Sequence, residues 1–178
     1  APDPVQCLKS LSSSRILTAL RQGPYGADTL NQKLLTYFQQ KTAPHEWLAL
    51  PILVTQNDPT RALYNGTTGV LIKDTAYFEG ADGLRSFPET VLPYYEVAFC
   101  LSVHKSQGSE FDEVFALFPP GSEIFGKEAL YTAVTRARKK VTLVSDEETV
   151  KALLATSSRT RSGFKERFLS KLEHLTLD

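Results

Sequence analysis

Three short apolar runs, and what separates them, constrain the fold most. Residues 97–103, 114–118 and 141–144 are each long enough for a buried strand and too short for a buried helix. Between the second and third, Leu130, Ala133, Val134, Ala137 and Val141 recur at i, i+3, i+4, i+7 and i+11, the spacing of one helix face. Asp146 then stands where a helix N-cap belongs, before a helix to about Ala155. Strands alternating with helices argue for an α/β fold with a parallel sheet. A hydrophobic fraction of 42% supports a packed core, and 178 residues suit one domain, or one domain with a small insertion.

The first half adds to this frame. Residues 1–14, with two prolines and a Ser-rich stretch, read as a linker. Residues 15–20 form a β-like run that meets the breaker cluster Gln22-Gly23-Pro24-Tyr25-Gly26. Asp28 reads as the N-cap of a helix whose face is Leu30, Leu34, Tyr37 and Phe38. The pattern then changes. Short β-prone runs at 52–55, 69–72, 76–78 and 96–101 are punctuated by Asn57-Asp58-Pro59, Asn65-Gly66, Gly80 and Asp82-Gly83. That rhythm predicts a small β-barrel over 48–97, inserted into an α/β unit made of 15–47 and 98–178. Phe164, Phe168, Leu172 and Leu175 predict a last amphipathic helix.

Net charge is zero, with 20 basic and 20 acidic residues, which argues against a generic polyanion binder. The layout is uneven. Residues 90–130 hold two basic and six acidic groups, and residues 131–178 hold ten basic and six acidic. Cys7 and Cys100, alone and far apart, make neither a disulfide framework nor a zinc site, so a reducing, cytoplasmic setting is expected. No apolar run approaches the roughly 20 residues of a membrane helix, and no signal-peptide pattern opens the chain. A chain without Met is expected to be a fragment of a longer protein.

Chemistry concentrates in three segments. Ser102-Val103-His104-Lys105-Ser106-Gln107-Gly108-Ser109-Glu110-Phe111-Asp112 follows a buried strand directly, and in open α/β sheets ligands bind at strand carboxyl ends. Its His, Lys, Ser and Gln offer donors to phosphate, and Gly108 lets a ligand approach the backbone. The plain alternative is a polar loop. In Leu130-Tyr131-Thr132-Ala133-Val134-Thr135-Arg136-Ala137-Arg138, the arginines either offset a helix dipole or supply a finger to a transferred phosphoryl group. Arg21, entering the Gly23-Pro24 turn, either reaches a phosphate or is simply solvated.

These segments resemble motifs V, VI and IV of superfamily-one DNA helicases, in the RecD branch that forms the alpha subunits of exodeoxyribonuclease V. SVHKSQGSEF (102–111) is similar to motif V, LYTAVTRAR (130–138) to motif VI, and ALRQGPYG (19–26) to motif IV. Order and spacing fit, as does the tail Ser158-Arg159-Thr160-Arg161-Ser162-Gly163. The resemblance implies a RecA-like second motor domain carrying an inserted SH3-like barrel. It implies that Arg136 is an arginine finger and that Arg21 contacts the same γ-phosphate. It implies that Gln107, Gly108 and Glu110 face ATP, and that Ser102, His104 and Lys105 face a DNA strand.

No G-x-x-x-x-G-K-[ST] occurs in the chain, so the phosphate cradle is missing. By the resemblance, ATP and Mg²⁺ are held mainly by a first motor domain outside this chain, and this chain alone is expected to be inactive; no metal-ligating residue is expected within it. The partners implied are single-stranded or unwinding duplex DNA, that first motor domain, and RecB- and RecC-type subunits. The alternatives are a free-standing RecD-like helicase, a motor-less interaction module, and a docking domain.

Overall fold

Asp3 and Pro4 start a helix where a linker was expected. The computed structural model describes residues 1–43 and 46–156. Helix α1, Pro4–Ser13, begins with proline in its first turn and the Asp3 side chain accepting from Val5 N at 3.0 Å. Ser10 and Ser13 turn their hydroxyls onto carbonyls one turn back, at 3.0 Å each, so the Ser-rich stretch is satisfied within the helix.

The chain continues through β1 (Ser14–Thr18), α2 (Ala27–Lys41) and a run of strands: β2 (Ala49–Val54), β3 (Thr68–Ile72), β4 (Thr75–Gly80), β5 (Gly83–Pro88) and β6 (Tyr95–Val97). Then come β7 (Cys100–Ser102), a 3-10 turn at His104–Ser106, β8 (Phe111–Phe118), α3 (Gly126–Thr135), β9 (Ala137–Ser145) and α4 (Glu147–Ala155). The expected tail motif and the amphipathic helix at Phe164, Phe168, Leu172 and Leu175 lie outside the described residues.

Two sheets result. One is four-stranded and wholly parallel, in the order β7-β1-β8-β9. The other is antiparallel, in the order β5-β4-β3-β2-β6, with no ladder between β5 and β6 among the described residues. Each has its own core. Leu17, Leu101, Val114, Ala116 and Phe118 of the parallel sheet pack with Leu130 and Ala133 of α3 and Leu153 of α4. Ile52, Val54, Leu63, Leu71, Ala76 and Phe78 form the second cluster.

The seam between the sheets is tied by polar contacts. Arg15, only 3% exposed, donates to Ala98 O at 3.1 Å, and Ala98 N donates to Pro51 O at 2.8 Å. Burial lowers the Arg15 pKa to about 10. On α2, Asn31 donates to Cys100 O at 2.9 Å and accepts from Cys100 N at 2.7 Å, fixing the β7 edge.

Three boundaries differ from the sequence reading. The cap of α2 is Gly26 rather than Asp28, which falls in the first turn. Strand β5 was not anticipated, because Leu84 and its neighbours lie exposed on an edge and carry no apolar run. The expected helix through Val141 stops at Thr135, and Ala137 to Lys140 belong to β9. Thr132, Val134 and Thr135 are β-branched, and both threonine hydroxyls bond carbonyls four residues back, at 2.8 and 2.9 Å. The strand ladder then takes over: Phe111 N donates to Arg136 O at 2.8 Å, and Ala137 and Val141 pair with Phe111 and Val114. Asp146 caps α4 as expected, accepting from Thr149 N at 2.8 Å.

Candidate functional site

Two of the polar segments, the Arg21 loop and the 102–112 loop, leave the carboxyl end of the parallel sheet, whereas Arg136 sits at its amino end, just ahead of Ala137, which pairs with Phe111 at the start of β8. β1 delivers the Arg21 loop, β7 the 102–112 loop, and α3 sits between β8 and β9. The first two loops are stitched together, since Val103 N donates to Thr18 O at 2.9 Å.

The Arg21 loop is a tight ring. Thr18 Oγ1 donates to Tyr25 O at 2.9 Å, while Ala27 N and Asp28 N return to Leu20 O and Arg21 O at 3.0 and 3.1 Å. Gly23 sits at φ +90°, in the left-handed region that glycine tolerates. The ring leaves the Arg21 side chain 68% exposed, with Nε 3.6 Å from Asp28 Oδ2. An exposed ion pair of that length restrains the guanidinium little.

The 102–112 loop is built on Ser106, which is fully buried and donates from Oγ to Val103 O at 2.7 Å. Around that peg the turn throws His104, Gln107, Gly108 and Glu110 into solvent. Gly108 takes φ +84° and turns the chain back toward β8. Ser102 Oγ accepts from Lys105 N at 3.3 Å, and Lys105 Nζ lies 2.5 Å from Glu96 Oε1.

Arg136 is the C-cap of α3. Its guanidinium donates to Thr132 O at 3.2 Å, to Ser109 O at 3.2 Å and to Thr135 Oγ1 at 3.3 Å. The contact with Ser109 fastens the end of α3 to the 102–112 loop. Arg138 and Lys139 are spent on Asp112, at 3.0 and 2.9 Å. Lys139 first, then Arg138, hold the Asp112 carboxyl below the usual carboxylate range.

One cleft takes in Arg21, Ser102, His104, Lys105 and Gln107, with Phe125 and Thr132 on its far wall. Gly108, Glu110 and Arg136 stand outside that lining, although Arg136 reaches the same loop through Ser109. The sequence reading missed Phe125, Ser106 and Glu96. Phe125, 43% exposed just ahead of α3, carries no periodic signal. Ser106 looked like one more polar loop residue. Glu96 is nine positions from Lys105 and meets it only because the seam folds back.

Residues 97–144 match the UvrD-like helicase C-terminal domain, a span that holds every candidate residue except Arg21. The RecBCD enzyme subunit RecD of Mycobacterium tuberculosis is 36% identical, over 92% of this chain and 30% of its own length. Over nearly all of its length the chain is similar to part of a RecD subunit. The ATP-dependent RecD2 DNA helicase of Deinococcus radiodurans is 31% identical over 71% of this chain and 19% of its own length. Among solved structures, the Pif1 helicase from Candida albicans has the same fold, with a TM-score of 0.51 at 16% identity over 95% of this chain and 52% of that one. The chain thus spans about 30% of the length of the RecD subunit it matches.

Among the described residues no helix is long and apolar enough to cross a membrane, and no three His, Cys, Asp or Glu residues group as metal ligands. The donors suit a phosphate instead. Arg21 offers an exposed guanidinium, and Arg136 offers one that a phosphate oxygen can compete for against neutral oxygens.

Proposed function

We propose that this chain is the second, RecA-like motor domain of an ATP-dependent DNA helicase of the RecD type, working in double-strand break repair and recombination. The observation that carries the proposal is the Arg136 contact with Ser109 O, because it joins a candidate γ-phosphate donor to the loop bearing the candidate DNA contacts. Arg136 acts as the arginine finger and Arg21 as a second cation on the same phosphate. Gln107, Gly108 and Glu110 face the nucleotide, and Ser102, His104 and Lys105 face single-stranded DNA. The antiparallel sheet over 49–97 is the SH3-like barrel of this family, inserted between α2 and β7 of the motor domain.

ATP and Mg²⁺ sit mainly on the first motor domain of the longer chain, which brings the phosphate cradle and metal ligands that these residues do not supply. When bound, the nucleotide supplies a terminal phosphate whose negative charge the two guanidiniums balance. Pulling Arg136 off Ser109 O toward that phosphate would shift the 102–112 loop, which is how nucleotide state reaches the strand. The working partners are unwinding duplex DNA, the first motor domain, and RecB- and RecC-type subunits, in the cytoplasm. Co-purification of such subunits separates this reading from a free-standing helicase, which the RecD2 likeness keeps as the second reading.

Arg136→Ala in the full-length protein should cut DNA-stimulated ATPase by about 10³-fold or more, with an unchanged circular dichroism spectrum. ATPase within tenfold of wild type would remove the finger from the mechanism.

A further inference from the structure

Lys105 does not face solvent alone. Its ammonium lies 2.5 Å from Glu96 Oε1, and the two side chains are 28% and 35% exposed. The carboxylate belongs to the inserted sheet, where Glu96 on β6 pairs with Leu53 on β2. The ammonium belongs to the loop after β7. The pair therefore spans the seam that Arg15, Ala98 and Pro51 hold. Residues 90–130 contain only Lys105 and Lys127 against six acidic groups, so the strand-facing loop has little positive charge to spare. A phosphate approaching Lys105 must displace the Glu96 carboxylate or meet its negative charge.

We infer that Glu96 is a positioning residue that competes with the DNA phosphate for Lys105. It keeps this strand contact weak and reversible, and it ties release of the ammonium to the position of the inserted sheet. A motor that steps along a strand needs contacts it can break, and a competing carboxylate in reach of the ammonium provides one. The inference rests on the reading of Lys105 as a DNA contact.

The test measures binding of a fluorescent oligothymidine to the full-length protein, without nucleotide, at low salt. Glu96→Gln keeps the shape and removes the charge, and should bind about two- to fivefold tighter, the scale of a partly exposed ion pair. Glu96→Asp, which keeps the charge, should bind like wild type. Lys105→Ala should bind several-fold weaker, and adding Glu96→Gln to it should restore little or nothing. If Lys105→Ala binds like wild type, both the DNA-contact reading and the inference fall. If Lys105→Ala weakens binding but Glu96→Gln does not strengthen it, the inference alone falls. The same holds if the Glu96→Gln gain persists in full without Lys105.

Discussion

Gly26 has no room for a methyl group. A Cβ built there would lie 2.5 Å from the Gln22 carbonyl carbon and oxygen and 2.6 Å from Arg21 C. These are backbone atoms of the ring that carries Arg21, so they cannot move without reshaping it. Gly23 differs: it sits at φ +90° with open space around it, so alanine there meets conformational strain and no clash. Gly26→Ala should therefore destabilise the chain by roughly 1–3 kcal/mol, the usual cost of overpacking, and weaken ATPase in the full-length protein by misplacing Arg21. Gly23→Ala should cost about 1 kcal/mol, and its ATPase should stay closer to wild type. Urea denaturation of the two variants, with ATPase alongside, checks the order. Equal loss at both positions would show that the ring does not hold Arg21 as described.

At the level of elements, burial alternates along β8. Val114, Ala116 and Phe118 are essentially inaccessible and face α3 and α4, whereas Phe115, pointing to the other face, is 38% exposed. Phe118→Ala should cost about 3–5 kcal/mol, because it removes a fully buried ring and leaves a cavity. Phe115→Ala should cost well under half as much, since its ring already meets solvent. Matching losses in denaturation would mean the outer face is covered after all. The same alternation explains what the sequence made legible. Strand β8 was readable from its apolar run because it is a central strand of the parallel sheet, whereas the expected strand over 97–103 divides between β6 and β7, which belong to different sheets. Strand β5 was unreadable, since none of its residues is buried and it carries no apolar run. The end of α3 was misread because Ala137 and Val141 continue its stripe by coincidence, and only the ladder to Phe111 and Val114 recruits them into β9. Helix α1 was hidden by serines whose unfavourable propensity is offset by bonds to their own backbone. The candidate site was legible as loops, because polar residues after a buried strand stand out. Its internal wiring was not, because Arg136 to Ser109 and Lys105 to Glu96 are contacts that only the fold creates.

For the whole molecule, zero net charge is an arrangement of local pairs rather than a dilution of charge. Asp112 takes Arg138 and Lys139, Glu96 takes Lys105, and Asp28 lies near Arg21. In the basic run 136–140, Arg138 and Lys139 share the single Asp112 carboxylate, and Arg136 is held by neutral oxygens. A strand crossing the 102–112 loop meets few cations that are not already engaged. The 178-residue chain alone should bind single-stranded DNA weakly. With about one to three phosphates neutralised, log K should fall against log salt with a slope of roughly −1 to −2, at about −0.7 per phosphate. Titrating a labelled oligothymidine between about 50 and 200 mM salt measures that slope directly. A slope steeper than about −4 would require more phosphate contacts than the candidate strand-facing residues Ser102, His104 and Lys105 supply. Tight binding indifferent to salt would require stacking on exposed aromatics such as Phe125 to dominate over phosphate contact. A shallow slope with low affinity is what a translocating domain needs, since each grip must be released before the next is made.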